Sequence, residues 1–193
     1  VNINNNEIEI KNNGNGIPCT PHESENIPIP ELIFGHLLTS SNYDDSEERT
    51  TGGRNGYGSK LTNIYSKHFT VEVKDPVNHL HFKKTWKNNM KESGKTSLKP
   101  LKEGSTGMVK ITWEPDWEKF GMTSMTDDFL RVAEKRTWDA AMCSGKCAVH
   151  FNGTKIPVKS PQQYLDMHGT ETIAKTSQKG WDICVGMSTT GFK

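Results

Sequence analysis

The sequence lacks a dominant sign of charge. Lys and Arg number 24 against 23 Asp and Glu, which excludes the whole-surface positive field of a general nucleic-acid binder and makes any phosphate recognition local. Long apolar runs are missing as well. None approaches the roughly 20 residues that cross a bilayer, and no apolar leader precedes the first polar run, so the expectation is a soluble chain without a membrane partner. Cysteine is sparse. Cys19, Cys143, Cys147 and Cys184 form no Cys-x-x-Cys pair, which points to reduced thiols in an intracellular setting. Cys143 and Cys147 could share a helix face, but no His or Cys pair at ligand spacing accompanies them. There is no internal repeat.

What is present is glycine in clusters. "TTGGRNGYGSKLTNIYS", Thr50 to Ser66, holds Gly52, Gly53, Gly56 and Gly58, then runs into Leu61, Ile64 and Tyr65 at helical spacing. Successive backbone N–H groups in such a loop approach an anion without β-carbon clashes, and a helix beginning near Gly58 adds a partial positive charge. Arg54 and Lys60 supply whole ones, so polyphosphate is the expected ligand. Gly53-xxxx-Gly58-Ser59-Lys60 is not the phosphate-loop pattern: Lys and Ser stand in reverse order, and the preceding "DDSEERTT" cannot be the buried strand that feeds such a loop. Alone, this stretch reads equally as a surface loop. It is accompanied by "NNGNGIP", Asn12 to Pro18, where Asn12 both donates and accepts as an adenine edge requires, and by "LTSSNYDD", where Ser40, Ser41 and Asn42 follow a helix end. Three polar loops at successive element ends favour one nucleotide pocket.

At 193 residues one core is expected, with about two thirds of the unfolded surface buried. "EIEIK" alternates around Ile8 and Ile10 as a half-buried strand. "PELIFGHLLTSS" sets Leu32, Ile33, Leu37 and Leu38 at helical spacing behind Pro30. "HFTVEVKD" is a strand, and "HLHFKKTWKNNMKESGKTSLKPLKEGSTGMVKITWEPD" reads as further strands. "TDDFLRVAEKRTWDAAMCSG" is the longest helix, with Asp127 and Asp128 in its first turn and Phe129, Leu130, Ala133, Trp138, Ala141 and Met142 on an apolar face. Asn152-Gly153-Thr154 fits a glycosylation acceptor, yet between "CAVHF" and "KIPVK" a tight hairpin turn is the better reading. A short helix in "PQQYLDMHG" and a strand in "WDICVGMSTTGF" complete the pattern. It is α/β, a sheet covered mainly on one face.

These motifs, in this order, resemble the ATPase domain of eukaryotic-type DNA topoisomerase II. "IFGHLLTSSNYDD" followed by "TGGRNGYG" separates that family from gyrase and other relatives. The resemblance implies an α+β two-layer sandwich of the GHKL (Bergerat) type, a mixed sheet with helices on one face. Residues 1–175 would be the ATPase domain without its N-terminal helices, and residues 176–193 the beginning of a transducer domain. Asn12 would hydrogen-bond adenine, with Gly14 and Gly16 allowing close approach. Ile17, Ile33 and Phe34 would line the base, the last two being equally readable as plain core. Ser40, Ser41 and Asn42 would contact ribose and phosphate. Gly53, Arg54, Asn55, Gly56, Tyr57, Gly58, Ser59 and Lys60 would form the lid over the triphosphate. Two departures stand out: Val109 occupies the Thr position of a Gly-Thr motif, and Ser59 replaces a small residue such as Ala.

The resemblance further implies ATP and Mg2+ as cofactors, double-stranded DNA as partner, a homodimer and a nuclear location. The general-base Glu and the Mg2+ ligand are expected upstream of Val1, and the transducer Lys beyond Lys193, so no catalytic residue is assigned within the chain. Weak ATP binding and negligible turnover are the expectation for these residues alone. An alternative is a nucleic-acid module built on Lys83, Lys84, Lys87, Lys91, Lys95, Lys99 and Lys102, with Trp86 for stacking, or else a solvated strand edge. A gyrase B-like protein is the other alternative.

Overall fold

The computed structural model describes residues 1–37, 39, 40, 42, 46, 53–169, 171–188 and 191. It divides into two compact units, Asn2–Met125 and Thr126–Lys193, with Val1 belonging to the second.

The first unit contains β1 (Asn2–Asn4), β2 (Glu7–Asn12), α1 (Ile29–Gly35), α2 (Gly58–Ile64), β3 (Ser66–Asp75), β4 (Leu80–Lys87), β5 (Glu92–Ser93), β6 (Ser97–Pro100) and β7 (Met108–Pro115). The strands form one sheet in the order β1-β2-β7-β3-β4-β5, with β6 also paired to β4. A mixed sheet was the expectation. The described pairings are all antiparallel, because β7 returns between β2 and β3 and runs against both.

Period-two alternation sets the two faces apart. Phe69, Val71 and Val73 of β3 and Phe82 and Trp86 of β4 form a buried cluster with Cys19 and with Phe34 of α1. Burying each large side chain contributes about 1.5–3 kcal/mol. Their neighbours His68, Thr70, Glu72 and Lys74 lie on the opposite, polar face. Ile8 is buried as expected, whereas Ile10, in phase with it, is 44% exposed. Helix α1 stops at Gly35, so Leu37 lies outside it and is exposed. Leu38 lies outside the described residues.

Two side chains of β4 do not take the places that the alternative nucleic-acid module gave them. Trp86 is 4% exposed and packs 6.2 Å from Phe69, centroid to centroid, so it offers no face to a base. Lys84 is buried beside it, its ammonium 2.6 Å from Glu31 Oε1 and within hydrogen-bonding distance of the Thr96 hydroxyl. Burial alone would raise the Glu31 carboxyl, but hydrogen bonds from Lys84 and Thr96 outweigh it and hold it below the usual range.

The second unit contains α3 (Asp127–Cys143), β8 (His150–Phe151), β9 (Thr154–Lys155), α4 (Pro161–Asp166), β10 (Thr172–Gln178) and β11 (Trp181–Gly186). Thr126 caps α3 by accepting from the Phe129 N–H. Ala141 of its apolar face is buried with Ile156 and Val158, and Trp138, Met142 and Tyr164 pack against them. Asn152 and Gly153 both have positive φ, 47° and 81°, which two-residue hairpin turns demand and which favours the turn reading. Strand β10, paired antiparallel with β11, was not foreseen. Its polar sequence, "TIAKTSQ", carries little alternation, and the boundary expected between Lys175 and Thr176 falls within it.

Candidate nucleotide site

The first glycine loop is shaped by backbone packing. Strand β2 ends at Asn12, whose cross-strand partner on β7 is Val109, so the departure at position 109 lies beside the residue expected to read the base. Asn12 Oδ1 accepts from the Gly14 N–H at 3.3 Å, turning the chain out of the strand. At Gly16, with φ +83°, a Cβ would lie 2.3 Å from the Lys74 carbonyl oxygen, and at Gly107 it would lie 2.2 Å from the Gly14 carbonyl oxygen. The loop is therefore wedged between the end of β3 and the entry to β7.

Asp75 ties down the segment after the loop. It is 2% exposed and accepts from the Cys19 N–H at 2.8 Å, the Val77 and Asn78 N–H groups at 3.1 Å, and the Asn78 side chain at 2.7 Å. Burial would raise this carboxyl, but the convergent donors outweigh it and hold it below the usual range. The Cys19 thiol, by contrast, is pushed up to about 12 by burial and then by the Asp75 charge. It is a core group rather than a nucleophile. Ile17 packs against the main cluster, as does half-buried Ile33. Phe34 is 6% exposed and belongs to that cluster outright, 6.3 Å from Phe69.

The second glycine loop is placed differently. Asn42 Nδ2 donates to the Gly53 carbonyl at 2.8 Å, while the Asn42 N–H donates to Ser40 Oγ at 3.1 Å. A Cβ at Gly56 would lie 3.2 Å from Lys60 Nζ and 3.4 Å from Ser40 Cβ. Ser40, Asn42, Gly53, Gly56 and Lys60 are thus brought together from the loop after α1 and the entry to α2. At Gly53 and Gly58 a Cβ would meet nothing within 4 Å. Arg54, Asn55 and Tyr57 are exposed, and Ser59 is half-buried in the first turn of α2. Ser41 and Gly52 lie outside the described residues.

Helix α2 is inverted relative to its sequence pattern. The apolar residues Leu61 and Tyr65 are 48% and 40% exposed, whereas Lys60 and Asn63 are 3% and 1% exposed. Asn63 Nδ2 donates to the Phe34 carbonyl at 3.0 Å, fixing α2 to α1. Its Oδ1 has no partner among the described residues. No hydrogen bond or ion pair joins Lys60 to any described residue, and burial holds its ammonium below the ordinary lysine range. A buried cation without a counter-charge is costly, and an arriving anion relieves that cost.

Sequence reasoning singled out neither Asn63, Asp75 nor Gly107 as site-shaping. Asp75 was readable in principle, since "DPVN" is turn chemistry that collects backbone donors. The other two had no local signal, because the groups they meet come from distant strands and helices.

The fold first defines a class, a two-layer α+β domain in which the second glycine loop lies against Lys60, a buried cation that no described residue pairs. No protein-family model matches the chain. It is 42% identical over 199 aligned positions to human DNA topoisomerase 2-alpha, covering 98% of this chain and 13% of that protein. It is 46% identical over 162 residues to DNA topoisomerase 2 of Penicillium chrysogenum, covering 84% of this chain and 10% of that one. The solved ATPase region of Saccharomyces cerevisiae topoisomerase II superposes with a TM-score of 0.82 at 41% identity, over 86% of this chain and 44% of the other. The ATPase and transducer domains of the Balamuthia mandrillaris enzyme give 0.81 at 44% identity, over 86% and 43%. The chain belongs to the DNA topoisomerase II family and spans only about a tenth to an eighth of the length of these curated relatives.

Proposed function

We propose that this chain is the nucleotide cradle of an ATP-driven type II DNA topoisomerase, the isomerase that passes one duplex through a transient double-strand break in another. The observation that carries the reading is Lys60, a buried ammonium that no described residue pairs, beside Ser40 and under the Gly53 to Gly58 loop. ATP, when bound, supplies the phosphoanhydride whose hydrolysis drives the gate.

The chain's own residues bind and orient it. Lys60 neutralises the terminal phosphates, and backbone N–H groups of Gly53, Gly56 and Gly58 approach them where no Cβ intervenes. Ser40, Ser41 and Asn42 hold ribose and the inner phosphates. Asn42 also tethers the lid through Gly53. Asn12, Gly14 and Gly16 present the adenine edge, with Ile17 and Ile33 as the apolar wall. Phe34 supports that wall from the core. Arg54, Asn55, Tyr57 and Ser59 complete the lid. Mg2+ would accompany the nucleotide; among the described residues no group of three His, Cys, Asp or Glu side chains could hold a metal ion.

Residues 176–193 would begin the transducer domain, and the enzyme would work on duplex DNA as a nuclear homodimer. The outward apolar stripe of Tyr57, Leu61 and Tyr65, each at least 40% exposed, supports pairing of two such domains.

Calorimetric titration with a non-hydrolysable ATP analogue, with and without Mg2+, tests the cradle. Wild type binds, Asn12→Ala loses discrimination for adenine, and Lys60→Ala loses the preference for triphosphate over monophosphate. A folded chain that takes up no analogue at millimolar concentration would overturn the reading.

A further inference from the structure

The polar face of the sheet carries a second anion-recognising surface. Seven lysines stand between His79 and Lys102 against Glu92 alone, which leaves 17 basic and 22 acidic residues for the rest of the chain. The near-neutral total therefore conceals a strong separation of charge. Pairing register puts three of the seven on one face together with Lys74: His81 of β4 is flanked by Lys74 of β3 and Lys99 of β6, and Lys83 and Lys87 succeed it along β4. Among the described residues none of Lys74, Lys83, Lys87 and Lys99 has an ion-pair partner. Glu72, the carboxylate opposite Lys83, is already engaged by Lys110 at 3.0 Å and His81 at 3.0 Å.

We propose that this lysine face, on β3, β4 and β6, binds the phosphate backbone of duplex DNA without reading its sequence. Lys83 and Lys87 are four residues apart, about 13 Å, and Lys74 and Lys99 lie about 10 Å apart across the strand between them. That footprint matches a few phosphates of a duplex, which carries one charge per about 3.4 Å of axis on each strand. A single-strand platform would need exposed aromatic rings. Here Trp86 points to the opposite face, and the residues that share the lysine face are Thr70, Thr85, His68, His81 and Ser97, with Glu72 opposite Lys83 and Glu92 opposite Lys87. A protein partner would need a large apolar anchor at the centre of the patch, and an amphipathic membrane surface would need apolar side chains to insert; this face offers neither.

The inference rests on the topoisomerase reading for the supply of duplex, but it concerns a surface separate from the nucleotide loops. It is tested by fluorescence anisotropy of a labelled 20-base-pair duplex against the whole chain, with the same titration on Lys83→Gln/Lys87→Gln/Lys99→Gln and on a control, Arg131→Gln/Lys135→Gln. For four phosphate contacts, affinity falls by about two orders of magnitude between 50 and 200 mM salt. The triple variant binds at least tenfold more weakly at 50 mM salt, with a salt response reduced to about fourfold. The control behaves as wild type. Triple-variant binding equal to wild type, or wild-type preference for single strands or for anionic phosphatidylserine vesicles over duplex, overturns the inference. ATP-analogue calorimetry on the triple variant separates the two readings: normal nucleotide binding with lost duplex binding supports this surface. A wild type that binds nucleotide but no duplex sinks the surface alone.

Discussion

The two glycine loops look alike in sequence and are used for opposite purposes. In the first, Asn12 to Pro18, a β-carbon at Gly16 would collide with the Lys74 carbonyl, and Gly107 presses on the loop's own backbone at Gly14. In the second, a β-carbon at Gly53 or Gly58 would project into open space, and at Gly56 it would meet only Ser40 and the tip of Lys60. Glycine in the first loop lets protein backbone approach protein backbone. In the second it leaves space that no described residue fills. The lesson is that a glycine cluster becomes evidence for a ligand only once the space around it is known.

Substitutions break the comparison in order of size. Gly107→Ala has the largest effect, because neither contacting backbone can yield: a loss of about 4 kcal/mol, or failure to fold, measured by urea unfolding. Gly16→Ala is next, with positive φ and a 2.3 Å approach to Lys74, at about 3 kcal/mol. Losses below about 0.5 kcal/mol for both would show that the first loop is as open as the second.

Asp75→Asn sharpens the comparison through pH. The folded-state pKa of Asp75 is depressed below 3.8, so its contribution is fully present above that value and is lost as pH falls through the folded-state pKa. The variant loses about 2 kcal/mol at pH 7, and its stability falls less steeply under acid than that of wild type. Unfolding curves between pH 7 and pH 2 give both quantities. An unchanged acid limb would remove Asp75 as the anchor of the first loop.

Lys60→Met belongs to the second loop and reverses the sign. The folded-state pKa of Lys60 is lowered from 10.5 by burial, so the charged form costs stability below the folded pKa, and the cost fades as pH rises through it. Removing the charge stabilises the ligand-free chain by up to about 1 kcal/mol while abolishing triphosphate preference. A destabilised variant that still prefers triphosphate would contradict the assignment. The smallest stability change is expected for Gly58→Ala, within about 0.5 kcal/mol of wild type and of either sign. Calorimetry then shows reduced analogue affinity, because the new methyl group occupies the space left for phosphate.

Much of the fold was legible because its signals are local. Alternation at Phe69, Val71 and Val73 writes a strand with one wet face, Thr126 with Asp127 and Asp128 writes a helix start, and Asn152-Gly153 writes a turn. β10 was illegible for the same reason, since an exposed polar strand carries no contrast between its faces. Lys84 and Trp86 misled because lysine and tryptophan close together read as a nucleic-acid surface, whereas Glu31, distant in sequence, draws Lys84 under the sheet.

Sequence alone determined the strand and helix pattern and the family, through "SSNYDD" and "GGRNGYG" in their order, because short-range periodicity and motif spacing lie within the chain itself. Only the tertiary structure decided which glycines are wedged and which are open, that α2 turns Lys60 and Asn63 inward, and that four lysines without ion-pair partners among the described residues share one face. Each of those depends on groups brought together across long stretches of chain, where burial and the absence of a counter-charge, rather than residue type, set what a side chain can do.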